Sequence, residues 1–213
     1  MTVVDLKPSD VFEFTPGKGS VLLIACGALA REIVDLIERN RWTAFDLQCL
    51  PAKWHNTPDK IVPAVREKIR NAKAHYRSIF VLYGDCGTGG QLDALLAEEG
   101  VERIDGPHCY AFFSGNAEFK THGEKDVTSF FLTDYLARHF DKLVWAGLGL
   151  DAHPELLPLY FGNYERIVYL AQTRDAELEQ KARAAAAKLG LSYEYRFTGY
   201  GELETDLAAR GDT

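Results

Sequence analysis

The first ordered pattern along the chain is Val21-Leu22-Leu23-Ile24-Ala25, a wholly apolar run preceded by Gly17, Gly19 and Ser20 and followed by Cys26-Gly27. A short continuous apolar run between turn residues predicts a strand covered on both faces. From Leu29 the apolar positions become Leu29, Ile33, Leu36 and Ile37, with Arg31, Glu32, Asp35, Glu38 and Arg39 between them, and this spacing predicts an amphipathic helix. The alternation then repeats. Ala44 to Cys49 reads as a second strand, and Thr57-Pro58-Asp59 offers a capping hydroxyl and a first-turn proline to a helix striped by Ile61, Val62, Val65 and Ile69. Ser78 to Tyr83 is the clearest strand. It runs through Gly84-Asp85-Cys86-Gly87-Thr88-Gly89-Gly90 into helical spacing at Leu92, Leu95 and Leu96, ending at Gly100. Val101 to Ile104 is a weaker strand ending in Asp105-Gly106-Pro107-His108-Cys109.

Strand and helix alternating in this way, joined by right-handed crossovers, predict an α/β protein with a Rossmann-like, mostly parallel sheet and helices on both faces. The second half is less regular. Val127 to about Gly147 reads as a helix apolar on most sides, for interior packing or the seam of a homodimer. Arg166 to Ala171 and Tyr193 to Phe197 read as strands flanking an alanine-rich helix from Asp175 to Leu189, closed by Gly190.

The chain has 213 residues, 46% of them hydrophobic and 26% charged, which excludes disorder and coiled coil. A chain of this length buries about 70% of its surface in one core, so a single α/β domain over 1–213 is expected, with an irregular N-terminal segment over about 1–19. The net charge of -7 leaves no excess of cations to displace counterions from a nucleic acid. No apolar segment approaches the roughly 20 residues that span a bilayer, and Met1 to Pro16 lacks the basic and apolar regions of a secretory signal. These features place the expected protein in the cytoplasm, away from membrane and nucleic acid. There its four cysteines would stay reduced, which directs attention to metal or nucleophilic chemistry.

Cys26, Cys49, Cys86 and Cys109 each fall at or just beyond the carboxyl end of a predicted strand, and that edge is where open α/β sheets bind ligands. With strands about 4.8 Å apart, several thiols can converge. The competing reading is that free cysteines pack as small hydrophobes. Cys26 and Cys86 precede helices, whose N-termini would lower a thiol's pKa. His55 and His108 lie on the same edge and complete a mixed sulfur and imidazole donor set, suited to zinc or, with three or four thiolates, to an iron–sulfur cluster. The preferred metal ligands are Cys26, Cys86 and Cys109, with Cys49, His108 and His55 in reserve. No Cys-x-x-Cys pair is present, which disfavours a structural zinc ribbon. Asp85 could orient a histidine or serve as a base with His108 as its partner in catalysis, or simply close a turn. Gly27 and the run Gly87, Thr88, Gly89 and Gly90 could offer backbone N–H groups to a cofactor or anion. That run lacks the Lys-Ser or Lys-Thr of a Walker loop.

Taken together, Leu22 to Glu32, Cys49-Leu50-Pro51-Ala52 with His55-Asn56, Tyr83 to Gly90, Gly106-Pro107-His108-Cys109-Tyr110-Ala111-Phe112-Phe113 and Phe161-Gly162-Asn163-Tyr164 resemble the domain-of-unknown-function 1638 family. The resemblance spans most of the chain. It implies a setting near corrinoid-dependent methyltransferases, and so methyl or one-carbon transfer or the handling of a corrinoid. The expected partners are then a small-molecule substrate or a corrinoid protein. Two other readings stay open: a cysteine nucleophile in acyl or amide transfer, with the Gly87 to Gly90 amides as oxyanion donors, and a non-enzymatic accessory protein of a methyltransferase system.

Overall fold

A computed structural model describes residues 6–16, 19–122 and 126–211. Phe12–Phe14 forms β1, and Val21–Cys26 forms β2. A turn of 3₁₀ helix over Gly27–Leu29 leads into α1 (Ala30–Asn40), followed by β3 (Phe45–Leu50). Two further 3₁₀ turns, Ala52–Asn56 and Pro58–Lys60, precede α2 (Ile61–Ala72). β4 (Ser78–Leu82), α3 (Gln91–Glu99) and the two-residue β5 (Glu102–Arg103) follow.

These strands make one sheet in the order β1-β3-β2-β4-β5, parallel except for β1, which runs antiparallel to β3. The chain therefore steps from β2 to β3 on one side, then returns past β2 to β4 on the other. With right-handed crossovers, that reversal puts α1 on one face and α2 and α3 on the opposite face. The side chains agree: Leu22, Ile24 and Val81 pack with Ile61, Val65 and Ile69 of α2 and with Leu92, Leu95 and Leu96 of α3. Leu23 and Ala25, pointing to the other side, are equally inaccessible. Both faces are covered, so the predicted fold class is the observed one: α/β, mostly parallel, Rossmann-like.

Beyond β5 come α4 (Cys109–Ser114) and α5 (Asn116–His122), then β6 (Ser129–Leu132), α6 (Asp134–Arg138), a π-type turn over Asp141–Trp145, and α7 (Leu157–Phe161). β7 (Arg166–Ala171), α8 (Ala176–Leu189), β8 (Ser192–Phe197) and α9 (Gly201–Gly211) complete the chain. β6, β7 and β8 form a second, wholly parallel sheet in that order. Where a single core over 1–213 is expected, the chain gathers into two compact units, Met1–Phe112 with Glu202–Thr213 and Phe113–Gly201. Each unit has its own sheet and its own core.

Three expectations about local structure are corrected. Phe12–Phe14, assigned to an irregular segment, adds a strand to β3, because Phe12 is buried opposite Cys49; residues 1–5 and 17–18 of that segment lie outside the described residues. Thr57 precedes the turn into α2 but makes no side-chain cap bond, since the 3₁₀ turn Pro58–Lys60 intervenes. The helix expected over 127–147 is a strand, a short helix and a π-turn. Thr133 follows β6 and its side chain accepts from the Leu136 N–H, which starts α6 there. Phe130, Leu136 and Trp145 then pack into the second unit's own core, so no continuous aromatic helix is available for a dimer seam. The second unit is fastened by two carboxylates. Buried Asp134 accepts from Tyr169 Oη at 2.6 Å and from the N–H groups of Gln172 and Thr173. Asp126 binds Arg166 at 2.9 Å and Arg196 at 2.6 Å.

Candidate metal centre

The site is assembled by backbone proximity at the carboxyl edge of the first sheet. β2 and β4 are the neighbours between which strand order reverses, the place at the strands' carboxyl edge where open α/β sheets bind their ligands. Cys26 ends β2, and Cys86 lies in the loop after β4. Two glycines draw adjacent loops in. A Cβ on Gly84 would lie 2.8 Å from both N and Cα of His108, and one on Gly27 would lie 3.0 Å from the Leu50 carbonyl oxygen. The Asp85 N–H donates to the Pro107 carbonyl at 3.1 Å, extending the β4 and β5 pairing past its formal end. The loops after β3, β4 and β5 thereby deliver His55, Cys86 and His108 together, with one donor atom of each within 4.8 Å of the others. Around a tetrahedral zinc such donors would be about 3.3–3.8 Å apart, a contraction that side-chain torsions can supply.

The electrostatics suit a neutral imidazole set. Burial, reinforced by His55, pushes the His108 pKa down to about 3, and desolvation lowers His55 as well although part of its ring is exposed. The two rings meet edge to face at 5.1 Å. His108 Nδ1 accepts from the Tyr110 N–H at 3.3 Å and lies 3.4 Å from Cys109 Sγ; this arrangement puts the proton of the neutral ring on Nε2, so ligation through Nε2 would need the other tautomer, with the Nδ1–H turned to Cys109 Sγ. Cys109 therefore stands behind His108, where a partner orients a ligand ring.

The thiols behave opposite to the helix-terminus expectation. Burial and the neighbouring Cys26 raise Cys86 to about 12; burial likewise raises Cys26 and, with charge repulsion among the sulfurs, Cys49 and Cys109. Each expected helix start is displaced: α1 is preceded by the 3₁₀ turn, and α3 begins after Gly90, four residues past Cys86. The desolvation penalty of a thiolate outweighs what remains of the dipole. Cys26 acts electrostatically on each of the other three sulfurs, and Cys86 on Cys109. Cys49, however, is fully buried inside β3 and packs as a small hydrophobe.

Asp85 and the glycine run close on themselves. The carboxylate accepts from Thr88 Oγ1 at 2.8 Å, from the Gly90 N–H at 2.7 Å and from the Gly89 N–H at 3.2 Å, and these bonds hold its pKa down. The amides of Gly89 and Gly90, expected to cradle an anion, are thus filled by the chain's own carboxylate, and Asp85 closes a turn instead of facing His55 or His108. Cys86 itself adopts φ 47°, and Gly87, Gly89 and Gly90 are also left-handed. Gly27 serves the close approach of β3 and is not exposed to a cofactor.

Two residues of the site were not singled out by sequence pattern. Tyr83, 3% exposed, ends the β4 run with its hydroxyl beside Cys26. Glu32, 5% exposed, faces inward from α1, and its charge is felt at Cys49 and Cys109. A polar tip closing an apolar strand run is a signal that points to Tyr83; Glu32 lies beside the buried stripe of its helix.

Fold and site together define a Rossmann-like α/β protein with a cluster of sulfur and imidazole groups at the carboxyl edge of its first sheet. The chain belongs to the DUF1638 family, described as a protein of unknown function, whose model matches residues 49–207. That match takes in His55, Cys86 and His108 and leaves Cys26 outside. No curated protein matches the sequence. Among solved structures, the ornithine carbamoyltransferase from Pyrococcus furiosus is 15% identical, with 85% of this chain and 56% of that chain covered and a TM-score of 0.29. At that score the similarity carries no argument. Among the described residues, no helix is long and apolar enough to cross a membrane.

Proposed function

We propose that this protein holds one transition-metal ion, zinc in the simplest case, on His55, Cys86 and His108, with a fourth position open. The observation that carries the reading is the convergence of these three donors from three separate strand-end loops within 4.8 Å. Three protein ligands with one open position is the arrangement of catalytic zinc. Two imidazoles and one thiolate suit a single ion better than an iron–sulfur cluster, whose usual ligands are thiolates. The chemistry proposed for the centre is methyl or one-carbon transfer, acting on a small molecule or on a corrinoid protein, as the family resemblance implies. An ion in this pocket would supply Lewis acidity and hold a soft ligand in its deprotonated form. The chain's own contribution is to keep both histidines neutral and to hold the Cys86 sulfur away from bulk water.

The cysteine-nucleophile alternative has less support, because burial holds every thiol in its protonated form and an activated nucleophile needs the reverse. Elemental analysis of protein purified without oxygen, followed by zinc and iron titration, tests the proposal. About one equivalent of a single metal is expected. Less than about a tenth of an equivalent, with none taken up on titration, overturns it.

A further inference from the structure

The loop that carries His108 has two fastenings. One ties it to the loop after β4, through the bond from the Asp85 N–H to the Pro107 carbonyl, one residue before the ligand. The other is Arg103 of β5, whose side chain is 17% exposed and works through two edges of its guanidinium. Nη1 donates to the Ile104 carbonyl at 2.8 Å and to the Gly106 carbonyl at 2.9 Å. Nε and Nη2 donate to the two carboxylate oxygens of Asp93, at 2.6 and 3.2 Å.

These partners matter for what they are joined to. Asp93 stands in the first turn of α3, the helix into which the Cys86 loop runs. Ile104 and Gly106 are buried, and Gly106 holds φ at 129°, a turn that few residues other than glycine adopt. His108 follows two residues later. One planar group therefore spans from the helix behind Cys86 to the turn in front of His108. Without it, two carbonyls turned inward lose their donor, and the turn has to open to find another. A lysine ammonium keeps the charge but lacks the rigid fork that serves a carboxylate and two carbonyls at once. At Cys86, burial raises the thiol pKa and the charge of Arg103 works in the opposite direction.

We infer that Arg103 is a positioning residue of the proposed metal centre, its guanidinium fixing the turn at Ile104 to Gly106 so that His108 meets Cys86 and His55. The inference rests on that centre and names what holds one of its three ligands in place.

Cobalt(II) titration of the full chain, followed by visible absorption, tests it on Arg103→Lys and Asp93→Asn, with His108→Ala as the spectral reference and Arg70→Lys as the control. Arg70 pairs with Glu98 and Glu99 at the far end of α3. Arg103→Lys should bind cobalt about 10–100-fold more weakly, with d–d bands displaced from the wild-type positions toward those of His108→Ala. The Asp93 carboxylate is half exposed, so its ion pair adds little to folding. Asp93→Asn should accordingly melt like the wild type yet lose about threefold or more in cobalt affinity, with its bands displaced in the same direction. Arg70→Lys should change neither affinity nor spectrum. The inference falls if Arg103→Lys keeps the wild-type affinity and bands, since charge alone would then suffice, or if Arg70→Lys weakens cobalt binding equally. Should Arg103→Lys fail to fold, wild-type affinity and bands in Asp93→Asn overturn it. A wild type that binds no cobalt removes the metal centre itself, and this role with it.

Discussion

Gly84 and His108 are in backbone contact: a Cβ on the glycine would lie 2.8 Å from the His108 N and Cα, so the β4 loop reaches its ligand position only where no side chain intervenes. Under 3.0 Å from backbone atoms, neither partner can yield by turning a side chain. Gly84→Ala should therefore separate Cys86 from His108, lowering metal affinity at least tenfold and stability by roughly 1–3 kcal/mol. Metal titration and thermal melts of the variant measure both; unchanged affinity would show that the contact does not position the site.

The cysteines should divide by role. Cys86→Ser is expected to lose most bound metal while remaining folded, because a hydroxyl is a poor soft ligand. Cys49→Ser should keep its metal and lose roughly 1–3 kcal/mol of stability, as a hydroxyl is buried in β3. Cys109→Ala should retain stoichiometry but weaken affinity about 10–100-fold through the orientation of His108. Metal assays and melts on the single variants test this division, and equal metal loss in all of them would contradict it.

Proton release on metal binding follows from the titration states. At neutral pH Cys86 is a thiol with a pKa near 12, and His108, near 3, is neutral. Binding should release about one proton per ion, and affinity should rise about tenfold per pH unit between pH 7 and 10. Calorimetry in buffers of different ionisation enthalpy counts the proton. A value near zero would mean that Cys86 is already ionised or does not bind.

Acid should destabilise the metal-free protein through His108. Its folded pKa of about 3 lies below the ordinary value of 6.5, so the unfolded chain binds the extra proton between those values. The stabilisation is then complete above about pH 6.5 and is lost as pH falls toward 3. His108→Asn should flatten that part of the pH–stability curve in denaturant titrations, whereas an unchanged slope would assign the acid sensitivity to other groups.

What the chain's pattern disclosed was set by length and burial. β2 and β4 are wholly or mostly apolar runs bounded by turn residues, and the sheet edge followed from their alternation with helices. β1 escaped because three residues, Phe12-Glu13-Phe14, carry too little periodicity. The stretch from Phe130 to Trp145 was misassigned because its aromatic residues satisfy both a strand covered on two sides and a buried helix. At the site, strand-end placement located the cysteines, but it could not rank them against the histidines. That ranking depends on the close approach at Gly84, on the ring orientation fixed beside Cys109, and on a loop whose carboxylate folds back onto its own amides. None of these has a spacing signature.

The backbone at Cys86 bears on why a sulfur stands there at all. A residue with φ 47° occupies a conformation that glycine adopts freely and a branched side chain resists. In a chain already rich in glycine on both sides, a further glycine would relax the loop, so Cys86→Gly should cost little or nothing in stability. The loop keeps a thiol at the position where its own geometry has least use for any side chain, which makes Cys86 the residue whose presence is hardest to attribute to folding.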